Sequence, residues 1–326
     1  MEQRQKISFA AWIKLHKSEF AAYCGLLFCI VFFSVLTPLF GKSIWAPDRL
    51  STLVSNVIVL ALMAVGAVFV YSLGNMDISI GKQVGLYATL IVTLGNATGS
   101  LIPGILLSLI ISVVIAVGNG AIGQVLHIHP VVSSVVFMMV LGGINSIMYN
   151  MLGSRNIALR TIDYRVFRST WVMVLALVIE VVVVYYLFNY TKYGKNAKAI
   201  GANSVVAQQS GIHLVKYKVI PYVIMGFCLV LASLFQMGYT GSASDSTGTG
   251  FEMNVIVALV LGGMPLSGGM RSKVSCAVVG SFTVALLTLG LPMIGVEPNQ
   301  VFAIKAVIFL IVVLITCRKK NGVLPR

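Results

Sequence analysis

A chain of 326 residues with 58% hydrophobic and only 10% charged side chains has too little polar surface for a water-soluble globule, and its mean hydropathy of +0.96 points to lipid as the solvent. The net charge of +14 does not imply nucleic acid, because Lys and Arg form no basic stripe interleaved with stacking aromatics. They cluster at the ends of apolar runs, as anchors beside an anionic leaflet do.

In chain order, a basic tail over 1–19 precedes an apolar run over 20–40, which is long and lacks the small-residue exit of a cleaved signal. It reads as a retained first span. Further runs near 53–73, 101–122, 130–149, 171–187, 219–237, 274–291 and 299–316 meet the requirement of about 17 to 25 residues per crossing. Two shorter runs, 83–94 and 251–263, adjoin Gly-rich polar stretches, the pattern of broken or partly re-entrant helices. The expected fold class is all-α: one polytopic transmembrane helical bundle of about ten spans, two of them short or broken. It divides into a first helical group (20–187), a segment over 188–218, a second group (219–316) and a tail (317–326).

Charge placement orients this bundle with both termini cytoplasmic. Lys6, Lys14, Lys17, Lys192, Lys195, Lys198, Lys216, Lys218, Arg271, Lys273, Arg318, Lys319 and Lys320 then lie inside, and the outer loops 95–100, 238–250 and 292–298 carry no Lys or Arg. One loop disobeys. Residues 150–170 hold Arg155, Arg160, Arg165 and Arg168 against Asp163 alone, yet parity places them outside. Either the span count is off by one locally or this loop has an outward cationic task; the second is preferred, because removing a span would invert the basic 190–218 loop.

Cys24, Cys29, Cys228, Cys276 and Cys317 lack CxxC spacing, and the scattered His16, His127, His129 and His213 supply no metal-ligand set. Gly41-Lys42-Ser43 and Gly81-Lys82-Gln83 are not phosphate loops, since Leu36 and Met76 stand where the earlier glycine is needed. No means of hydrolysing ATP is visible in the chain itself. Two turns echo each other as G-x-M-x-[IL]-S-x-G, one from Gly74 to Gly81 and one from Gly262 to Gly269, each after a span running from outside to inside. The 190–218 stretch contains a short helix that Asn203 or Ser204 caps and Gly211 ends. Its neutral, small-residue face reads as a protein-docking surface.

The order Thr191, Gly194, Lys195, Ala199, Gly201, Asn203, then Ala207, Ser210, Gly211 and Ile212, resembles the cytoplasmic coupling segment of bacterial ABC importer permeases of the ribose, galactose, xylose and autoinducer-2 branch. Asp77-Ile78-Ser79-Ile80-Gly81 resembles that family's D-[LIV]-S-V-G turn, Gly118-Asn119-Gly120 its N-G pair, and Gly248 to Gly269 its G-x-G-[YF]-E-[LM]…L-G-G-x-x-L-x-G-G stretch, over about 56 to 316 in order. Ser204 and Val205 depart from the family's acidic residues, and Ile128-His129-Pro130 and Gly142-Gly143 also differ.

The resemblance implies a core of two permeases, homodimeric or heterodimeric, joined outside by a substrate-binding protein and inside by ABC ATPase subunits that hold ATP and Mg. This subunit then carries no cofactor and is not itself an enzyme. It implies ATPase coupling by Tyr193, Gly194, Lys195, Gly201, Asn203, Ala207, Ser210, Gly211 and Ile212. Asp77, Ser79, Gly81, Asn119, Glu252, Gly262, Gly263 and Ser267 become candidates for a pathway or gate, with helix capping the plainer reading for Asp77 and a dipole partner for Glu252. The four loop arginines are candidates for docking acidic patches of the binding protein. Glu180 and Lys305, charges at comparable depth in their spans, are read as a pair, since each alone costs about 2.5–3.5 kcal/mol near the bilayer centre, with Lys305 snorkelling outward and Glu180 protonated as the duller alternative. The solute is expected to be a small polar compound, a monosaccharide or a relative. The competing reading is an ion-coupled secondary transporter using Asp77, Glu180 and Lys305; a membrane-embedded enzyme ranks last, for want of converging catalytic groups.

Overall fold

The computed structural model describes residues 17–126, 128–160 and 162–317, so Lys6, Lys14, His16, His127, Arg318, Lys319 and Lys320 lie outside the described residues. Membrane-scale helices dominate: α1 (Lys17–Leu39), α2 (Pro47–Ser72), α3 (Ile80–Thr98), α4 (Ile102–Val125) and α5 (Pro130–Met151) precede a strand β1 (Asn156–Ala158) and a one-turn helix α6 (Arg165–Arg168). The chain continues through α7 (Thr170–Tyr190), α8 (Lys192–Ala202), α9 (Ser204–Gln209), α10 (Leu214–Thr240), β2 (Ser242–Ser244), α11 (Phe251–Leu261), α12 (Val274–Met293) and α13 (Pro298–Cys317). Among the described residues seven helices, α1, α2, α4, α5, α7, α10 and α12, are long and apolar enough to cross a membrane. The protein is an all-α polytopic membrane bundle.

Helix starts follow local chemistry. Pro47, Pro103 and Pro130 occupy first-turn positions, where a missing N–H goes unnoticed, and the His129 ring nitrogen accepts from Val131 N at 3.4 Å. The core is built around α2, whose apolar stretch is 89% buried, against 17% for α1 at the periphery. Around α2 pack α7, α10 and α12, while α3 is enclosed by α4, α5 and α10.

The short run over 83–94 is not a broken helix: α3 is continuous for 19 residues, about 28 Å. Its hydropathy dips because it faces protein rather than lipid. Gln83 Nε2 donates to Ser79 Oγ at 2.8 Å, Thr89 Oγ1 to Asn145 Oδ1 at 2.9 Å, and Asn96 Nδ2 to Ala158 O at 2.8 Å. The run over 251–263 is short as expected, an 11-residue helix of about 16 Å, roughly half the hydrocarbon thickness.

β1 and β2 pair antiparallel, Asn156 opposite Ser244 and Ala158 opposite Ser242. The arginine-bearing loop therefore lies on the same face as the 241–250 loop. Leu73, Ala197, Ile200 and Ala207 form a small cluster on the opposite face, with Ile212, Leu214 and Tyr217 against it.

Candidate functional site

The α8–α9 knob is seated on the bundle by glycine. A β-carbon on Gly201 would overlap the Ser72 carbonyl oxygen at the end of α2, and one on Gly194 would overlap the Phe188 backbone. Ser72 O also accepts from Gly269 N at 2.8 Å, and Gly74 rests on the Ser267 carbonyl. The two echoed turns thus meet each other, with Gly201 wedged beside them.

Of the residues singled out in this segment, Gly194, Gly201, Ala207 and Ile212 pack inward, whereas Tyr193, Lys195, Asn203, Ser210 and Gly211 face outward. Asn203 is the cap: its Oδ1 accepts from Val205 N at 3.0 Å and Val206 N at 3.1 Å. Val205 and Val206 on α9 are more than half exposed, an apolar face beyond the bundle. Lys198, lying 4.1 Å over the Phe188 ring and bonded to Asn189, has its ammonium pushed below the usual lysine range by burial and by Lys273.

A second centre gathers around Asp77, which is fully buried in the 73–79 connection. Its carboxylate accepts from Ser79 N at 2.7 Å, Ser79 Oγ at 2.5 Å, Asn119 Nδ2 at 3.0 Å and Gln83 Nε2 at 3.4 Å. Ser133 Oγ donates to Asn119 Oδ1 at 3.1 Å, and Tyr87 OH to Gln83 Oε1 at 3.1 Å. Asn119 lies six residues, about 9 Å, from the end of α4, so the connection climbs into the bundle before α3 begins. Lipid could not satisfy these backbone groups; the network of α3, α4 and α5 does. Asp77 here joins elements together rather than capping one helix.

A third centre is the loop from β2 to α11, which descends from the arginine face until Gly248 rests on Gly81. A β-carbon at either glycine would overlap the other's carbonyl, and one on Gly85 would lie 2.5 Å from Thr247 O. Gly248, at φ +84, holds a conformation in which a larger residue would be both strained and obstructed. Helix α11 therefore starts inside the bundle. Glu252 Oε1 accepts from Gly250 N at 3.2 Å at its first turn, where a carboxylate offsets the helix dipole. Beside it Lys82 Nζ donates to Thr249 Oγ1 at 3.4 Å.

The other pathway candidates lie elsewhere. Gly262 packs on the Cys276 backbone, and Gly263 and Ser267 belong to the turn beneath the knob. The eight candidates thus occupy three separate places, not one lining.

Arg155, Arg160, Arg165 and Arg168 are all exposed on the far face, with Asp163 4.0 Å from Arg165. This loop is tied to the descending segment and to α3: Asp245 N donates to Arg155 O at 3.3 Å, Leu159 N to Gly241 O at 3.0 Å, and Arg160 N to Asn96 Oδ1 on α3 at 2.9 Å.

The expected pairing of Glu180 with Lys305 is corrected. Lys305 Nζ donates to Asn254 Oδ1 at 3.1 Å on α11. Glu180, on α7, is buried with neither carboxyl oxygen in a hydrogen bond, its polar neighbour being the Cys228 thiol. Similar depth along two spans does not place them on neighbouring faces. Exchanging the two charges in a double mutant is accordingly expected not to recover membrane expression lost in either single mutant, as read from a fluorescent fusion; recovery would restore the pair.

Sequence reading missed Asn254, the actual partner of Lys305, and with it Asn56 and Gln236. The available signal was a carboxamide standing inside an otherwise apolar run, which lipid does not favour.

Residues 49–316 match the family described as branched-chain amino acid transport system / permease component. The chain belongs to that family. This agrees with the resemblance carried by the ordered motifs. The permease is 29% identical to the galactose/methyl galactoside import permease protein MglC of Salmonella typhimurium, over 98% of each chain. It is 26% identical to the ribose import permease protein RbsC of Escherichia coli K12, over 95% of this chain and 96% of that one. It is 27% identical to the RbsC of Bacillus subtilis, over 92% of each. No solved structure matches it significantly.

Proposed function

We propose that this chain is the transmembrane subunit of an ABC importer in the bacterial cytoplasmic membrane, moving a monosaccharide or a related small polar solute inwards by alternating access. The observation that carries this reading is the seating of the α8–α9 knob, through Gly201, on the end of α2 and on both echoed turns. A push on that knob reaches α2, the central helix, through backbone contacts that have no side chains to absorb it. The similarity to sugar import permeases supplies the solute class.

In this reading the knob face is cytoplasmic, and Val205, Val206 and Tyr193 form its exposed surface for an ABC ATPase, which holds ATP and Mg; this subunit needs no cofactor of its own. The four arginines face outwards, where an acidic patch of a substrate-binding protein would be steered to them. Lys82, Thr249 and Glu252 stand at the side of the bundle, where lipid would be a poor solvent for them. A second permease, identical or sister, covers that side, and the pathway runs between the two.

The test is reconstitution with ATPase and binding protein in liposomes. Uptake of radiolabelled galactose or ribose is expected with ATP inside and no ion gradient. Uptake that needs no ATP and collapses with an ionophore would replace this reading by ion-coupled transport.

A further inference from the structure

A cavity of about 100 Å³ lies between α2, α10, α11 and α12, lined by Asn56, Gln236, Phe251, Asn254 and Thr288 over an aliphatic floor. Three carboxamides from three helices converge there. Among the described residues nothing hydrogen-bonds the side chains of Asn56 or Gln236, and Asn254 uses only its Oδ1, on Lys305. That bond fixes the amide's orientation: with Oδ1 held by a buried ammonium, Nδ2 is the group left to donate. Thr288 Oγ1 donates to Val284 O at 2.6 Å, so toward the cavity it can only accept.

The groups lie near one end of the bundle. Asn56 is nine residues from the start of α2, Gln236 four from the end of α10 and Thr288 five from the end of α12, so each is about 6 to 14 Å from the arginine face. Phe251 and Asn254 open the half-helix α11 at the same place.

From this we infer that the cavity is a hydroxyl-reading subsite for the solute in the outer half of the permease, with Asn254, Gln236 and Asn56 contacting the hydroxyls and Lys305 positioning Asn254. The inference rests on the sugar-import reading and adds the place where the permease itself touches the sugar. Unpartnered amides suit hydroxyls, because each can donate and accept. A bare cation is disfavoured by the Lys305 ammonium behind Asn254, with no carboxylate in the lining to offset it. The Phe251 ring matches the apolar face of a sugar ring. At about 30 Å³ per water the space holds roughly three waters. It therefore takes one edge of a ring bearing two or three hydroxyls, not a whole solute of the kind that fills pockets of about 300 Å³ and more.

The experiment uses the complete transporter in liposomes, with binding protein saturated by either galactose or ribose, or by their monodeoxy analogues, so that discrimination at delivery is held constant. Asn254→Leu keeps the branched shape of the side chain and Gln236→Met its length, while each removes the amide. Each is expected to cut ATP-driven uptake of the preferred sugar about tenfold or more, leaving membrane yield within about twofold of wild type. For at least one monodeoxy analogue, the ratio of parent to analogue uptake should fall toward one in the variant, because the amide that read the missing hydroxyl is gone. Lys305→Met should weaken that discrimination in the same direction.

Wild-type uptake with unchanged rates and ratios in all three variants would overturn the subsite and leave the cavity to water. A fall in uptake with the parent-to-analogue ratios preserved would also overturn it, marking these residues as structural. Wild type that takes up neither sugar with ATP would overturn the import reading, and the subsite with it.

Discussion

Gly201→Leu is expected to bring ATP-driven uptake to background while the chain still inserts and accumulates in the membrane. The α-carbon of Gly201 sits against Ser72, and an added β-carbon would overlap that carbonyl and lie 2.8 Å from Gly269 N. Neither neighbour can step aside, because Ser72 O and Gly269 N are bonded to each other at 2.8 Å. Overpacking of this kind costs about 1–3 kcal/mol, within the roughly 5–15 kcal/mol that a folded chain has in hand. The knob would shift and the bundle survive.

Gly211→Leu is the contrasting variant. Gly211 has open space around it and a φ of +83, so the substitution adds backbone strain of about 1–2 kcal/mol without moving the knob from α2. It should retain a substantial fraction of uptake. The two glycines carry equal weight in sequence reading; only the contact with α2 separates them. Paired measurements of uptake and ATPase rate decide the matter, and normal uptake by Gly201→Leu would remove the knob from the coupling route.

Asp77→Leu is expected to fail earlier, at folding. Removing the carboxylate strands the Ser79 and Asn119 donors in a buried site, at about 1–3 kcal/mol for each unpaired group and on the order of 3–5 kcal/mol together. Membrane yield and the Tm of detergent-solubilised protein should both drop. Asp77→Asn keeps the shape but turns one acceptor into a donor facing other donors, so a smaller drop is expected. The informative contrast is with transport. If Asp77 were an ion-coupling site, Asp77→Asn would fold normally and lose uptake. Thermal unfolding and uptake of the same preparation separate the two roles.

Some of this was legible in the residues alone. The turn chemistry at Asn203, the short run over 251–263 and the ordered glycine motifs all carry local signals that survive in any bundle. The α3 run was misread for a physical reason. Lys82, Gln83, Thr89 and Asn96 lower its hydropathy, yet a helix satisfies its own backbone, and three of these side chains find buried or interhelical partners that no window average contains. The pairing of Glu180 with Lys305 failed because depth along a span is readable and azimuth is not. In lipid, a helix such as α7 is apolar all round, so no hydrophobic stripe marks the side that faces its neighbours.

The sequence by itself therefore determined the solvent, the all-α bundle and the family, because bulk hydropathy, span length and glycine-rich turns are local properties of the chain. Tertiary structure alone decided that the echoed turns meet under the knob, that the network around Asp77 ties three helices together through Asn119, and that three carboxamides share one cavity with Lys305 behind them. Those are contacts between helices far apart in the chain. Where lipid solvates every apolar face alike, close packing and hydrogen bonding set the partners.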